Sequence, residues 1–232
     1  FGDYAVLSFG RGKGITGGGG GALLLHSEAA LHPALPMPDA GHGGFQRLGL
    51  AFAQRELSRP WSYWLLAALP FLGLGDTPYL PPHSPTGITP ASLGLLAGNL
   101  AASAEEGVTR RAAAARFATL LREAPQFMIP AVGAQGVAGY LRYPIVAQTP
   151  EIAVWLVREG AGCGLAPGYP LSLADLPGFT RASAAAGGQF DGARALAQRL
   201  VTLPTHSGVS ATVRGRLGTL LTTPNLLQVI RL

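Results

Sequence analysis

Apolar residues in this chain fall into short runs separated by glycine- and proline-rich stretches. Tyr4–Phe9 is a short apolar run that predicts a strand, and Ala22–Leu25 predicts a second. Between them lies a glycine-rich loop. Residues 26–44 are rich in Pro, Gly and His without periodicity and predict loop, whereas 45–57 has helical spacing ended by Pro60. Trp61–Gly75 is an uncharged run of fifteen residues broken by Pro70, followed by a loop with four prolines. Thr89-Pro90 is a helix start, a hydroxyl cap followed by proline at the first helical position. Residues 91–106 and 108–123 then predict two helices, or one broken near Gly107, with Leu93, Leu96 and Leu100 on one core-facing side.

Beyond Pro125 short strands alternate with helices. Leu141–Ala147 predicts a strand, and Thr149-Pro150-Glu151 starts a helix to Glu159 that turns Ile152, Trp155 and Leu156 inward. Residues 161–188 predict loop and 190–199 helix. Leu200–Leu203 predicts a strand, and 210–222 a last helix burying Val213, Leu217, Leu220 and Leu221. The alternation predicts a small α/β domain over the last hundred residues.

Composition narrows the classes. The chain has 232 residues, 48% hydrophobic and 12% charged, which suits a packed core rather than disorder. A net charge of +5 from scattered arginines disfavours nucleic-acid binding, and the densest cluster, Arg110, Arg111 and Arg116, reads as a solvated helix face. The single cysteine, Cys163, excludes an internal disulfide and a cysteine-based zinc site, and reads as a small structural residue. The run 61–75 is short of the roughly twenty residues a membrane span needs. A strand already under way at Phe1 leads us to expect the downstream part of something longer.

Sixteen of the seventeen basic residues are arginine, and the one lysine is Lys13, in Ser8-Phe9-Gly10-Arg11-Gly12-Lys13-Gly14, just before Gly17–Gly21. A primary amine can lose its proton and form a Schiff base with a carbonyl, which a guanidinium cannot. A phosphate-binding P-loop fails here, because Gly14 follows Gly12-Lys13 and Leu7 stands where the first glycine belongs. A dinucleotide fingerprint fails at Ile15, where its third glycine would fall. A lysine that binds pyridoxal 5'-phosphate (PLP) fits. The glycines allow close backbone approach to a flat cofactor, Ser8 at a strand end can donate to its phosphate, and a dry setting would free the Lys13 amine.

Gly2-Asp3-Tyr4-Ala5-Val6-Leu7-Ser8-Phe9, then Lys13 and the glycine run, resembles the lysine segment of the DegT/DnrJ/EryC1/StrS sugar aminotransferases. The likeness continues in order through the helical stretch 95–121 with Arg110 and Ala113, then Arg142-Tyr143-Pro144-Ile145. Gly168-Tyr169-Pro170 and Leu203-Pro204-Thr205-His206 complete it. It does not cover residues 23–89, and Gly14 and Gly19 stand where the family usually has Asn and Glu.

The resemblance implies the C-terminal part of a fold-type-I PLP enzyme of α/β class. Residues 1–88 would be a remnant of the PLP-binding large domain with an inserted apolar helical segment, 89–124 the connecting helices, and 125–232 a small C-terminal α/β domain. It implies Lys13 as the Schiff-base lysine and proton carrier and Ser8 as a phosphate ligand. The implied reaction moves an amino group from an amino-acid donor to a keto sugar, nucleotide-linked, in a cytoplasmic homodimer. His206 reads as a cap or surface residue. In this fold the aspartate that pairs with the pyridine nitrogen lies upstream of the lysine, and Asp3 matches a strand start instead. The alternative is a degenerate, non-catalytic member that serves as a binding or assembly scaffold.

Overall fold

A computed structural model describes residues 3–10, 13–26, 44, 46, 48–49, 52, 86–176 and 189–223. The apolar run 61–75 and the loop 77–85 lie outside the described residues, as do nearly all of the loop 26–44 and most of the helical stretch 45–57. The chain divides into two compact units, Phe1–Asp76 with Pro81–Ala104, and Thr77–Leu80 with Glu105–Leu232.

In the first unit, β1 (Tyr4–Ser8) and β2 (Gly21–Leu25) form a two-stranded antiparallel ribbon, with Tyr4 opposite Leu25 and Ser8 opposite Gly21. Both strands sit where the apolar runs predict them. Helix α1 (Pro90–Leu120) begins in this unit. Its start follows the sequence: the Ser92 N–H donates to Thr89 Oγ1 at 3.1 Å, which satisfies one of the orphan donors of the first turn.

Two expectations about α1 change. The helix runs unbroken through Gly107 and ends in a 3-10 turn, Leu121–Glu123. A mid-helix glycine costs about 1 kcal/mol relative to alanine, and Glu106 and Arg110 pair at 3.1 Å across it, four residues apart. Leu93 and Leu100 do share a face, but they are 50% and 51% exposed rather than packed in a core. Helical spacing makes an apolar stripe, whereas burial needs a covering surface. In the glycine loop, Gly17 lies against Leu96 of that stripe.

The second unit holds a four-stranded antiparallel sheet in the order β3-β4-β6-β5. The strands are β3 (Phe127–Met128), β4 (Arg142–Ala147), β5 (Ala166–Pro167) and β6 (Leu200–Pro204). Helices α2 (Pro150–Gly160), α3 (Asp191–Arg199) and α4 (Ala211–Leu221) complete it. Tyr143 pairs with Leu203 and Ile145 with Val201, and because partners share a face, these four buried side chains form one apolar surface. Ile152 and Leu156 of α2, Leu217 and Leu221 of α4, and Phe117 and Leu121 join the same core. Each such side chain contributes about 1.5–3 kcal/mol by leaving water. Trp155 and Val213 are half-buried against it.

Pro144 is tolerated inside β4 because β3 pairs only with Val146 and Ala147, so the strand has one neighbour at the proline. Thr149 caps α2 by accepting from the Ile152 N–H at 3.4 Å, and Ser210 caps α4 through the Val213 N–H at 3.2 Å. Cys163 is buried, as a small structural residue would be.

Before α3, Asp175 is gripped by the Arg194 guanidinium through both carboxylate oxygens at 2.9 Å, and by the Ser172 hydroxyl at 2.7 Å. Arg194 first, then Ser172, holds the Asp175 carboxyl below its ordinary range, and Thr149 does the same for Glu151. His206 is also lowered, first by partial desolvation of its ring and then by Arg110; Glu106 opposes and Arg142 adds to the lowering.

These shifts set a pH profile. A depressed carboxyl stabilises the fold above its unfolded value, about 4, and that contribution is lost as pH falls through the folded value. A depressed histidine also costs stability as pH falls, starting near its unfolded value of about 6.5, because the unfolded chain takes up the proton first. Urea midpoints are therefore expected to fall in two windows, one below about pH 6.5 and one below about pH 4. His206→Gln flattens the upper window alone and Asp175→Asn reduces the lower. A midpoint constant from pH 7 to 3 would contradict both assignments.

Candidate functional site

The lysine loop is an excursion from the β1–β2 ribbon. Beyond the last strand pair, the Phe9 N–H donates to Gly20 O at 2.9 Å, and the Gly17 N–H donates back to Phe9 O at 3.1 Å. Residues 10 and 13–16 are thereby set outside the ladder, with Lys13 among them and its N–H donating to Gly10 O at 3.4 Å. Thr16 pins the base of the excursion. Its hydroxyl donates to Phe9 O at 3.1 Å and accepts from the Gly18 N–H at 3.2 Å. The Asn99 amide of α1 donates to Thr16 O at 2.7 Å and ties the loop to the helix.

Four of the five glycines are needed by the ribbon itself. Gly18, Gly19 and Gly20 have φ of 75°, 138° and 89°, a region that L side chains rarely adopt. A Cβ at Gly21 would lie 2.5 Å from Leu7 O across the ladder. The glutamate usual in the resembled family would be strained at Gly19. Gly21→Ala is expected to force the strands apart and weaken the ribbon by about 1–3 kcal/mol, as overpacking does. Faster amide exchange in β1 and β2 would show it, and unchanged exchange would contradict the 2.5 Å approach.

Both predicted site residues are on this loop or beside it. Lys13 is exposed, and among the described residues no carboxylate lies within ion-pair distance of it. Ser8, at the end of β1, is exposed too. The Gly10 N–H donates to Ser8 Oγ at 3.5 Å, which leaves the hydroxyl proton free to be donated outward. Lys13 and Ser8 thus present a primary amine and a hydroxyl five residues apart on an open loop.

The described residues of this unit supply no more than that. Their single carboxylate, Asp3, is at the opposite end of the ribbon, its carbonyl accepting from the His26 N–H at 3.0 Å. A recess of about 120 Å³ between Gly19–Gly21 and Thr86–Ser92 is well below the roughly 300 Å³ or more of a cofactor pocket. The dry setting expected for Lys13 is therefore not provided by these residues alone.

In the second unit the structure brings together motifs that are far apart in sequence. The strands carrying Arg142-Tyr143-Pro144-Ile145 and Leu203-Pro204 are direct neighbours, with Arg142 opposite Pro204. Arg142 Nε donates to Thr202 Oγ1 at 2.7 Å. Arg110 donates to Leu141 O at 2.7 Å and pairs with Glu106, which accepts from the Ser207 N–H at 3.2 Å. Thr205, buried, donates to Tyr140 O at 2.6 Å. Arg111 and Arg116 are exposed as expected, but Arg110 is not part of a solvated face. A run of arginines on a helix does not reveal which one has partners across the fold. Tyr169, after β5, is exposed, and His206 borders a cavity described below.

No family model matches the sequence, and no curated protein matches it. Solved structures do match its fold. A DegT DnrJ EryC1 StrS aminotransferase from Brucella abortus superposes with a TM-score of 0.59 at 19% identity, covering 95% of this chain and 50% of that one. DesV of S. venezuelae gives 0.58 at 18% identity, covering 94% and 51%. An E. coli GDP-4-keto-6-deoxy-D-mannose-3-dehydratase with bound hydrated PLP gives 0.56 at 12% identity, covering 95% and 55%. The chain has the α/β fold of these solved structures, and spans about half their length.

Among the described residues no helix is long and apolar enough to cross a membrane.

Proposed function

We propose that this chain carries the lysine half of a PLP-dependent sugar aminotransferase, with Lys13 attaching the cofactor and Ser8 binding its phosphate. The observation that carries the reading is the position of the only lysine. It is exposed on an open loop five residues past a hydroxyl donor, in a fold shared with sugar aminotransferases and a PLP-bound dehydratase.

PLP, when bound, supplies a ring that withdraws electrons from the substrate carbon attached to it. Lys13 Nζ would hold the cofactor at its aldehyde carbon and, as a free amine beside the substrate, would carry the proton that the transfer moves. Ser8 Oγ–H orients the phosphate. The acceptor is a keto group on a nucleotide-linked sugar and the donor an amino acid, in a cytoplasmic homodimer that this chain enters as the C-terminal portion. The exposed Tyr4, Val6 and Leu24 on the ribbon support a need for further protein there, since a lone two-stranded ribbon is marginal in water.

The competing reading is a non-catalytic scaffold, favoured by the absence of a second carboxylate in the described part of the lysine unit. One experiment separates them. The protein, expressed with any coding sequence upstream of Phe1, is incubated with PLP, reduced with borohydride and mapped by peptide mass spectrometry. A pyridoxyl group on Lys13 is expected. An unlabelled Lys13 would leave the scaffold reading standing.

A further inference from the structure

The second unit contains a cavity of about 610 Å³ between the C-terminal half of α1, the turn after β6 and helix α4. That volume is within the range of small-molecule pockets, roughly 300–1,000 Å³. Its wall is mostly apolar, from Val108, Ala112, Phe117, Leu120, Pro204 and Val209. The charged groups on it are all basic: Arg116 from α1, Arg214 from α4, with His206 beside them. Glu106, the carboxylate nearest His206 in the turn after β6, is already paired with Arg110 and the Ser207 N–H. Arg214 donates to Val209 O, which holds it at the rim, while Arg116 has no ion-pair partner among the described residues.

Helix α4 adds a second observation. Gly215 and Gly218 line the cavity, and a Cβ at either would meet nothing within 4 Å. Glycine inside a helix weakens it, and no close approach or positive φ requires it at these two places. A side chain at either place would project into the open space of the cavity. Ala112 and Ala113 line it from α1.

We propose that this cavity binds a small amphipathic anion, with an apolar body between α1 and α4 and a carboxylate or phosphate held by Arg116 and Arg214. Lys13 is not among the lining residues, and the proposal does not depend on the aminotransferase reading. An apolar wall accepts the body without specific partners, and two guanidiniums with no acid between them favour a negative head group.

The test titrates the protein, expressed with any coding sequence upstream of Phe1, with octanoate and octyl phosphate, using 1-octanol as the uncharged control, by calorimetry and by amide chemical shifts. Saturable one-to-one binding is expected for at least one anion, with shifts centred on residues 108–120 and 204–218. The stronger anion identifies the head group. Octanol is expected to bind about tenfold more weakly, the value of a charge-assisted contact. Arg116→Gln should weaken the anion by about the same factor and leave octanol unchanged.

Ala113→Trp fills the cavity from α1 and should abolish binding; Gly215→Leu fills it from α4 and answers the question if the first variant does not fold. Absence of saturable binding, shifts elsewhere, or binding that survives both fillings would overturn the proposal. So would a concentration-dependent self-association removed by the same fillings, since the cavity would then seat protein.

Discussion

Lys13→Arg is expected to lower amine transfer by the whole protein by at least about three orders of magnitude, on the scale seen when a covalent nucleophile is removed. The substitution keeps the positive charge and nearly the reach, so it tests the chemistry of the amine and not electrostatics. A guanidinium stays protonated at any working pH and cannot attack an aldehyde. Far-ultraviolet dichroism should be unchanged, because Lys13 is exposed on an excursion outside the strand ladder. Ser8→Ala is expected to act differently: it removes one phosphate contact and weakens cofactor affinity about tenfold while the covalent attachment survives. Equal rates for Lys13→Arg and the parent protein would end the catalytic reading.

The second large effect is on stability. Arg110→Ala is expected to cost the second unit about 3–5 kcal/mol, measured as a lowered urea midpoint with an unchanged slope. Arg110 is largely buried at one end of the β4–β6 pair. It donates to Leu141 O at 2.7 Å, lies 3.4 Å from Thr205 Oγ1, and pairs with Glu106 at 3.1 Å. Truncating it leaves the Glu106 carboxylate and the Leu141 carbonyl without their cation. Glu106→Gln together with Arg110→Met, which removes both charges and keeps the volume, should recover much of the loss. A loss below about 1 kcal/mol for Arg110→Ala would mean the network is solvated and the pairing ornamental.

The secondary elements were legible because their causes are local. Thr89-Pro90, Thr149-Pro150 and Ser210 start helices through hydroxyls that accept nearby N–H groups, and the structure shows those bonds for Ser92, Ile152 and Val213. The inward set Ile152, Leu156, Leu217 and Leu221 was legible from 3.6-residue spacing. The same spacing puts Leu93 and Leu100 on one stripe but does not specify its cover, and both are half exposed. Propensity alone marks a break at Gly107, and the Glu106–Arg110 pair that spans it is a side-chain contact that propensity does not contain.

The candidate site divides in the same way. By itself the sequence determined that one residue, Lys13, carries a primary amine, that Ser8 stands five before it, and that glycines separate them from the next strand. Those are covalent facts about which chemistry is available. Only the tertiary structure decided that the glycine run serves a ribbon with left-handed turns and a 2.5 Å cross-strand approach. It alone placed Arg110 under Thr205, ninety-five residues away, and opened a basic-rimmed cavity between α1 and α4. Spacing along the chain records only neighbours within a turn or a strand, while close approach, burial and charge pairing arise between segments brought together by burying Tyr143, Ile145, Val201 and Leu203 from water.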